Sequence, residues 1–315
     1  MRCILFLCCV VVTGWVLPAD AQLVPHNRVL AIGIDGTRFD ALTQAKTPNL
    51  DDLMKNGAWT DNTQILGDRY QKNDTVSGPG WSSYLTGVWA DKHGVQDNSF
   101  DGRNYDEFPH FFKYVKEQFP DARTASYVDW EPIHDYIVSR ADINQVYPAH
   151  GPEEYTRQDA IIAVDAAKLV REDDPQAVMV YFGAVDETGH RFGFHPNVDK
   201  YIAAIETVDE HVGELLQALK SRPNYAQENW LVLVSTDHGG QGFGHSGGHS
   251  IPDIRTTFLI VSGPAAKQGK IEEETFVVDL PVIALTHLGV KIDADWKLDG
   301  RPVGLKSADS IGSKQ

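Results

Sequence analysis

The sequence predicts an α/β protein, a three-layer sandwich around a mostly parallel central sheet with a small insertion. Three observations carry this. Four short β-branched runs, 28–34, 177–183, 230–235 and 257–262, are apolar nearly throughout, as strands buried on both faces are. Between them lie six stretches with helical spacing, 47–55, 82–88, 108–119, 156–171, 200–221 and 278–288. Finally, Asp35, Asp186 and Asp237 each fall just past one of the first three runs. Ligands of open α/β sheets gather at the carboxyl ends of the strands, so these three carboxylates are expected to meet at one edge.

Of 315 residues, 42% are hydrophobic and 23% charged, which suits one large domain. Arg2 precedes the apolar run from Cys3 to Val16, and Leu17-Pro-Ala-Asp-Ala21 has the small-residue pattern of a cleavage site. The expectation is a signal peptide at 1–21, a catalytic domain at 22–315, and a secreted or periplasmic protein. The run is shorter than the roughly 20 apolar residues of a spanning helix, and no later stretch is long enough, so no membrane span is expected after cleavage. All three cysteines lie in this leader, which leaves His, Asp and Glu to hold any metal. A net charge of -16 argues against a non-specific grip on nucleic acid. The aromatic, acidic stretch 105–150 is expected to form the insertion or a lid, and the polar tail from Ser307 to fray.

Four stretches carry candidate chemistry. Asp35 sits in Gly33-Ile-Asp-Gly36, where it stabilises a turn or ligates an ion. Asp186 and His190 are four residues apart, a chelate spacing that a capped loop shares. Asp237-His238-Gly-Gly follows a buried run, and an Asp-His pair aimed into an apolar interior would leave charge unpaired; with His245 and His249 close behind, metal ligation is the favoured reading. Ser77 opens Ser-Gly-Pro-Gly-Trp81 at an expected helix N-terminus, as a cap or as a nucleophile beside the positive end of the dipole. His93 and Asn98 follow it, and His93 is expected to fix the loop that carries Asn98.

Taken in order, these stretches, with Asp279-Leu-Pro and Leu298-Asp-Gly-Arg-Pro, resemble the alkaline phosphatase superfamily, most nearly its nucleotide pyrophosphatase/phosphodiesterase branch. The resemblance implies an alkaline-phosphatase-like fold and two Zn²⁺ ions, in preference to Mn²⁺ or Ca²⁺. One would be held by Asp35, Ser77, Asp237 and His238, the other by Asp186, His190 and His245, with His249 as the alternative last ligand. It implies in-line attack by Ser77 on phosphorus, a covalent phosphoseryl intermediate, and hydrolysis by water. Asn98 and the Gly78 N–H would meet charge on the phosphoryl oxygens.

The pattern also departs from the family. Ser77 stands where nucleotide-cleaving members carry Thr, and Gly78 where they carry a base-stacking aromatic, so Trp81, Tyr84 or Tyr105 is expected to stack instead. The segment keeps Pro79 but lacks the Arg of a sulfatase box, and without an Arg a monoester dianion would depend on Arg157 or Arg191. His195 is expected to support the second metal site from behind. His26, His110, His134, His150 and His211 are read as structural. The expected substrate is a small phosphate ester, a diester before a monoester. Sulfatase and phosphonate hydrolase activities are the alternatives within the superfamily. A silent metal-stabilised binding protein is a further one, against which the retained Ser77 and Asn98 speak.

Overall fold

The computed structural model describes residues 26–138 and 140–307, so the expected signal peptide and all but the first residue of the polar tail lie outside the described residues. The strands are β1 (Asn27–Ile34), β2 (Ala58–Gln64), β3 (Thr124–Val128), β4 (Ile143–Val146), β5 (Ala177–Phe182), β6 (Asn229–Ser235), β7 (Thr256–Ser262), β8 (Gly269–Lys270) and β9 (Thr275–Phe276). The helices are α1 (Phe39–Gln44), α2 (Pro48–Asn56), α3 (Ser77–Thr86), α4 (Ala90–His93), α5 (Phe111–Gln118), α6 (Gly151–Glu172), α7 (Ala184–Phe192), α8 (Asp199–Lys220), α9 (Pro252–Arg255) and α10 (Asp279–Leu288).

One sheet runs in the order β4-β3-β5-β1-β6-β7-β2-β8, with β9 paired to β2. Strands β4, β3, β5, β1 and β6 are parallel; β7 is antiparallel to both β6 and β2. The pleat of β1 explains the two cores. Val29 and Ala31 point into one, with Trp81, Phe111 and Leu280 of α3, α5 and α10; Leu30, Ile32 and Ile34 point into the other, with Leu42, Leu50, Ile162 and Val208 of α1, α2, α6 and α8. This is the expected three-layer α/β sandwich. Among the described residues no helix is long and apolar enough to cross a membrane.

Two details differ from expectation. The stretch 105–150, expected to form an insertion or a lid, supplies β3 and β4, the parallel edge of the main sheet. Its strands were hidden because they are short, and β4 is only partly buried. Helix α3 begins at Ser77, the helix N-terminus expected there, ahead of the helical spacing read from 82; Pro79 falls in the first turn, where a missing N–H costs nothing.

Candidate active site

The carboxyl ends of β1, β5 and β6 meet as expected. Asp35, Asp237 and His238 bring one ligand atom each within 4.8 Å of one another, and Asp186, His190 and His245 do the same beside them. All but His190 are buried. The two groups adjoin: His238 stacks on His245 with ring centroids 3.6 Å apart.

The hydrogen bonds around these groups fix which atoms face inward. In each histidine Nδ1 meets a backbone carbonyl: His238 that of Gly239 (2.9 Å), His190 that of Phe243 (3.0 Å) and His245 that of Thr75 (2.9 Å). A carbonyl only accepts, so Nδ1 carries a proton, and all three Nε2 atoms point into the cluster. His190 and His245 bring their Nε2 atoms to 3.0 Å. Asp35 Oδ2 accepts from Trp81 Nε1 (2.8 Å) and the Tyr181 hydroxyl (2.6 Å), which turns Oδ1 inward. That atom, Asp186 Oδ1 and Asp237 Oδ2 are buried without a hydrogen-bond partner. Lone pairs facing one another with no donor between them repel, and buried polar groups are seldom left so. Divalent cations satisfy all of them at once, and an oxygen-nitrogen donor set without thiolates suits zinc.

Electrostatics follow from this crowding. Burial, then the neighbouring Asp186, pushes the Asp35 carboxyl up to about 7. Burial also raises Asp237, with Asp35 adding to it. Asp186 goes the other way: burial raises it, but His190 and the other imidazoles outweigh that and hold it below its ordinary value. The bond to Asp186 raises His190 to about 9, whereas burial drives His238 down to about 3 and keeps it neutral.

A pH dependence follows. Both Asp35 and His190 are raised, so each contributes stability at low pH that is lost as pH climbs, through about 7 and about 9 respectively. Chelator-treated protein is expected to melt at progressively lower temperature from pH 7 to pH 9, and saturating zinc, by keeping the imidazole unprotonated, to flatten the slope. A thermal melt series with and without zinc checks this; a chelated protein that gains stability over that window would refute the charge assignment.

Ser77, the first residue of α3, lies with its Oγ 3.2 Å from His238 Nε2. It lines a cavity of about 320 Å³ together with Asn98, Trp130, Tyr155, Asp186 and His190. The Gly78 N–H does not point freely into that cavity: it donates to Asn98 Oδ1 at 2.7 Å, which leaves the Asn98 amide nitrogen as the available donor. Gly78 is therefore an anchor for Asn98, not the second oxyanion donor expected. A methyl group there would sit 2.6 Å from the Asp97 carbonyl and 2.9 Å from Asn98 Oδ1. Gly78→Ala is expected to displace Asn98 and raise KM for a phosphate ester by about tenfold, with steady-state kinetics as the check and an unchanged KM as the contrary result.

Several expectations need correction. Trp81 and Tyr84 are completely buried, Trp81 bonded to Asp35 and Tyr84 to the Ile32 carbonyl, so neither can stack on a substrate. Tyr105 bonds Ser82 and does not line the cavity. His249 turns away, its Nε2 on the Asn73 carbonyl, and His245 is the histidine brought to Asp186. His195 accepts from the Asn197 N–H. Its neighbour Phe194 backs the second group, edge-on to His190 and His245. Arg157 and Arg191 pair with Glu154 and Glu153, and among the described residues no Lys or Arg lines the cavity. His93 behaves as expected, bonding Ser83 and the Val95 N–H below the Asn98 loop. Left-handed backbone at Gly242 turns the loop that returns His245 to the cluster.

The sequence profile described as type I phosphodiesterase / nucleotide pyrophosphatase matches residues 29–133 and 119–246. The chain belongs to that family. Curated members similar to it include the human bis(5'-adenosyl)-triphosphatase ENPP4, 23% identical over 248 residues, or 72% of this chain and 50% of that protein. Human ectonucleotide pyrophosphatase/phosphodiesterase family member 1 is 27% identical over 241 residues, 70% of this chain and 24% of that protein. The chain thus spans about half or less of the length of these curated phosphodiesterase relatives. Solved structures share the fold. Murine ectonucleotide pyrophosphatase / phosphodiesterase 5, in complex with AMP, superposes with a TM-score of 0.59 at 16% identity, covering 84% of this chain and 96% of that one. A 2-O GAG sulfatase gives 0.67 at 14% identity, covering 92% and 75%. Phosphodiesterase-family and sulfatase folds are both alkaline-phosphatase-like, as the sequence predicts.

Proposed function

We propose that this chain is an exported phosphodiesterase of the nucleotide pyrophosphatase type, which holds two zinc ions and cleaves phosphate diesters through Ser77. The observation that carries the reading is the set of six inward ligand atoms beside the Ser77 hydroxyl. Asp35, Ser77, Asp237 and His238 would hold one ion, and Asp186, His190 and His245 the other. The ions would lower the pKa of the Ser77 hydroxyl and neutralise charge on the phosphoryl oxygens. Ser77 Oγ, having lost its proton, forms the new bond to phosphorus as the bond to the leaving oxygen breaks, giving a phosphoseryl ester that still carries the second ester group; water then hydrolyses the seryl ester to free Ser77 and a phosphate monoester. Asn98 donates its amide N–H to an equatorial oxygen.

A diester suits the cavity better than a monoester, because among the described residues no guanidinium or ammonium lines it to meet a second negative charge. Trp130, half-buried in the cavity wall, is the aromatic placed to stack on a nucleoside. Export rests on the leader read from the sequence. Purified protein with zinc should hydrolyse bis(p-nitrophenyl) phosphate at least about tenfold faster than p-nitrophenyl phosphate or sulfate. Preferential release from the sulfate would point to a sulfatase.

A further inference from the structure

Next to the metal-ligand groups lies a second pair of carboxyls with no ligating role. Asp129, directly after β3, is 1% exposed, and neither of its oxygens has a donor. Its side chain meets that of Asp159 on α6, also 1% exposed. Asp159 accepts two backbone N–H bonds, from Gly183 (3.1 Å) and Ala184 (3.2 Å), at the N-terminus of α7. That helix carries Asp186 and His190. Gly183 has no room for a side chain, since a Cβ there would come within 2.5 Å of the Tyr155 ring and 3.0 Å of Asp129 Oδ1.

Two buried carboxyls in contact cannot both stay ionised. The groups facing Asp129 are Asp159 and Tyr155 from α6, Asp35 from the end of β1 and Tyr181 from β5, and none of these is a basic side chain. One proton must therefore lie between the pair. Asp159 is held as carboxylate by its two N–H bonds and by the positive end of α7, whereas among the described residues no neighbouring residue donates to Asp129. We propose that Asp129 and Asp159 share one proton, carried by Asp129, and that this pair positions the start of α7, setting the reach of Asp186 and His190. Burial and Asp159 raise Asp129 well above the ordinary range, consistent with this. The positioning half rests on the reading of Asp186 and His190 as metal ligands; the shared proton does not.

The pair is asymmetric, and that asymmetry is the test. In Asp129→Asn the amide N–H can donate to Asp159 as the protonated acid does. In Asp159→Asn the amide oxygen can accept only one of the two N–H bonds, and the amide NH2 is turned toward the other N–H. Infrared spectra of zinc-loaded protein at neutral pH should show a protonated-carboxyl band that Asp129→Asn removes. Zinc affinity, measured by chelator competition, should change less than about threefold in Asp129→Asn and fall about tenfold or more in Asp159→Asn. If Asp159→Asn does not fold, the band and the Asp129→Asn affinity decide. Absence of the band, equal loss of affinity in both variants, or a third divalent ion that Asp129→Asn releases would each overturn the proposal. A protein that binds no zinc but loses the band in Asp129→Asn would keep the shared proton while ending the metal reading.

Discussion

Replacing Ser77 with Ala is expected to lower kcat/KM toward an aryl phosphodiester by at least about 10³-fold. The variant should still fold. Ser77 is 7% exposed at the start of α3, and its Oγ makes one contact, to His238 Nε2 at 3.2 Å. Removing it deletes one oxygen from a cavity wall without opening the core. Zinc bound by Asp186, His190 and His245 should be unaffected, because the hydrogen bond of Ser77 Oγ goes to His238 in the other group. Acid-quenched turnover of the unaltered enzyme should give a phosphopeptide that contains Ser77. A variant that keeps more than about a tenth of the activity would mean that water attacks phosphorus directly, and Ser77 would lose its assigned role.

The second large effect concerns Asp237. Its carboxylate is completely buried, with Oδ2 unpartnered and 3.3 Å from His238 Nε2. Asp237→Asn keeps the shape and removes the charge. Bound zinc should fall from two ions to one, and kcat/KM by about 10³-fold, the several kcal/mol that an ion contributes to a charged transition state. Without metal the sign reverses. Chelated wild type confines three carboxylates at one site, so chelated Asp237→Asn should melt above chelated wild type, while with zinc it should melt below. A structural role alone would lower both melting temperatures.

Much of this was legible in the sequence for a physical reason. A buried parallel strand shows as an unbroken apolar run, so the polar residue that ends it marks the sheet's ligand edge. Asp35, Asp186 and Asp237 were found in this way. His190 followed from its i,i+4 distance from Asp186, and the structure supplies the helix, α7, that the spacing alone left open. What stayed hidden were partners joined by tertiary contact. Tyr181 reads as a strand residue, yet its hydroxyl bonds Asp35 across 146 positions. Trp81 looked like a substrate platform because aromatics near a nucleophile often are; its indole N–H instead orients a carboxylate from within the core. Phe194 carries no polar atom and gave no signal beside the more conspicuous His195. Asp129 and Asp159 are ordinary acids in the sequence, and only burial against each other makes them unusual.

The most direct measurement is calorimetric titration of zinc into chelator-treated protein, repeated for His238→Ala and His245→Ala. The account predicts two equivalents for the wild type and one for each variant, a different one in each case, so that the double variant binds none. Two equivalents retained in both variants, or no saturable binding to the wild type, would contradict it.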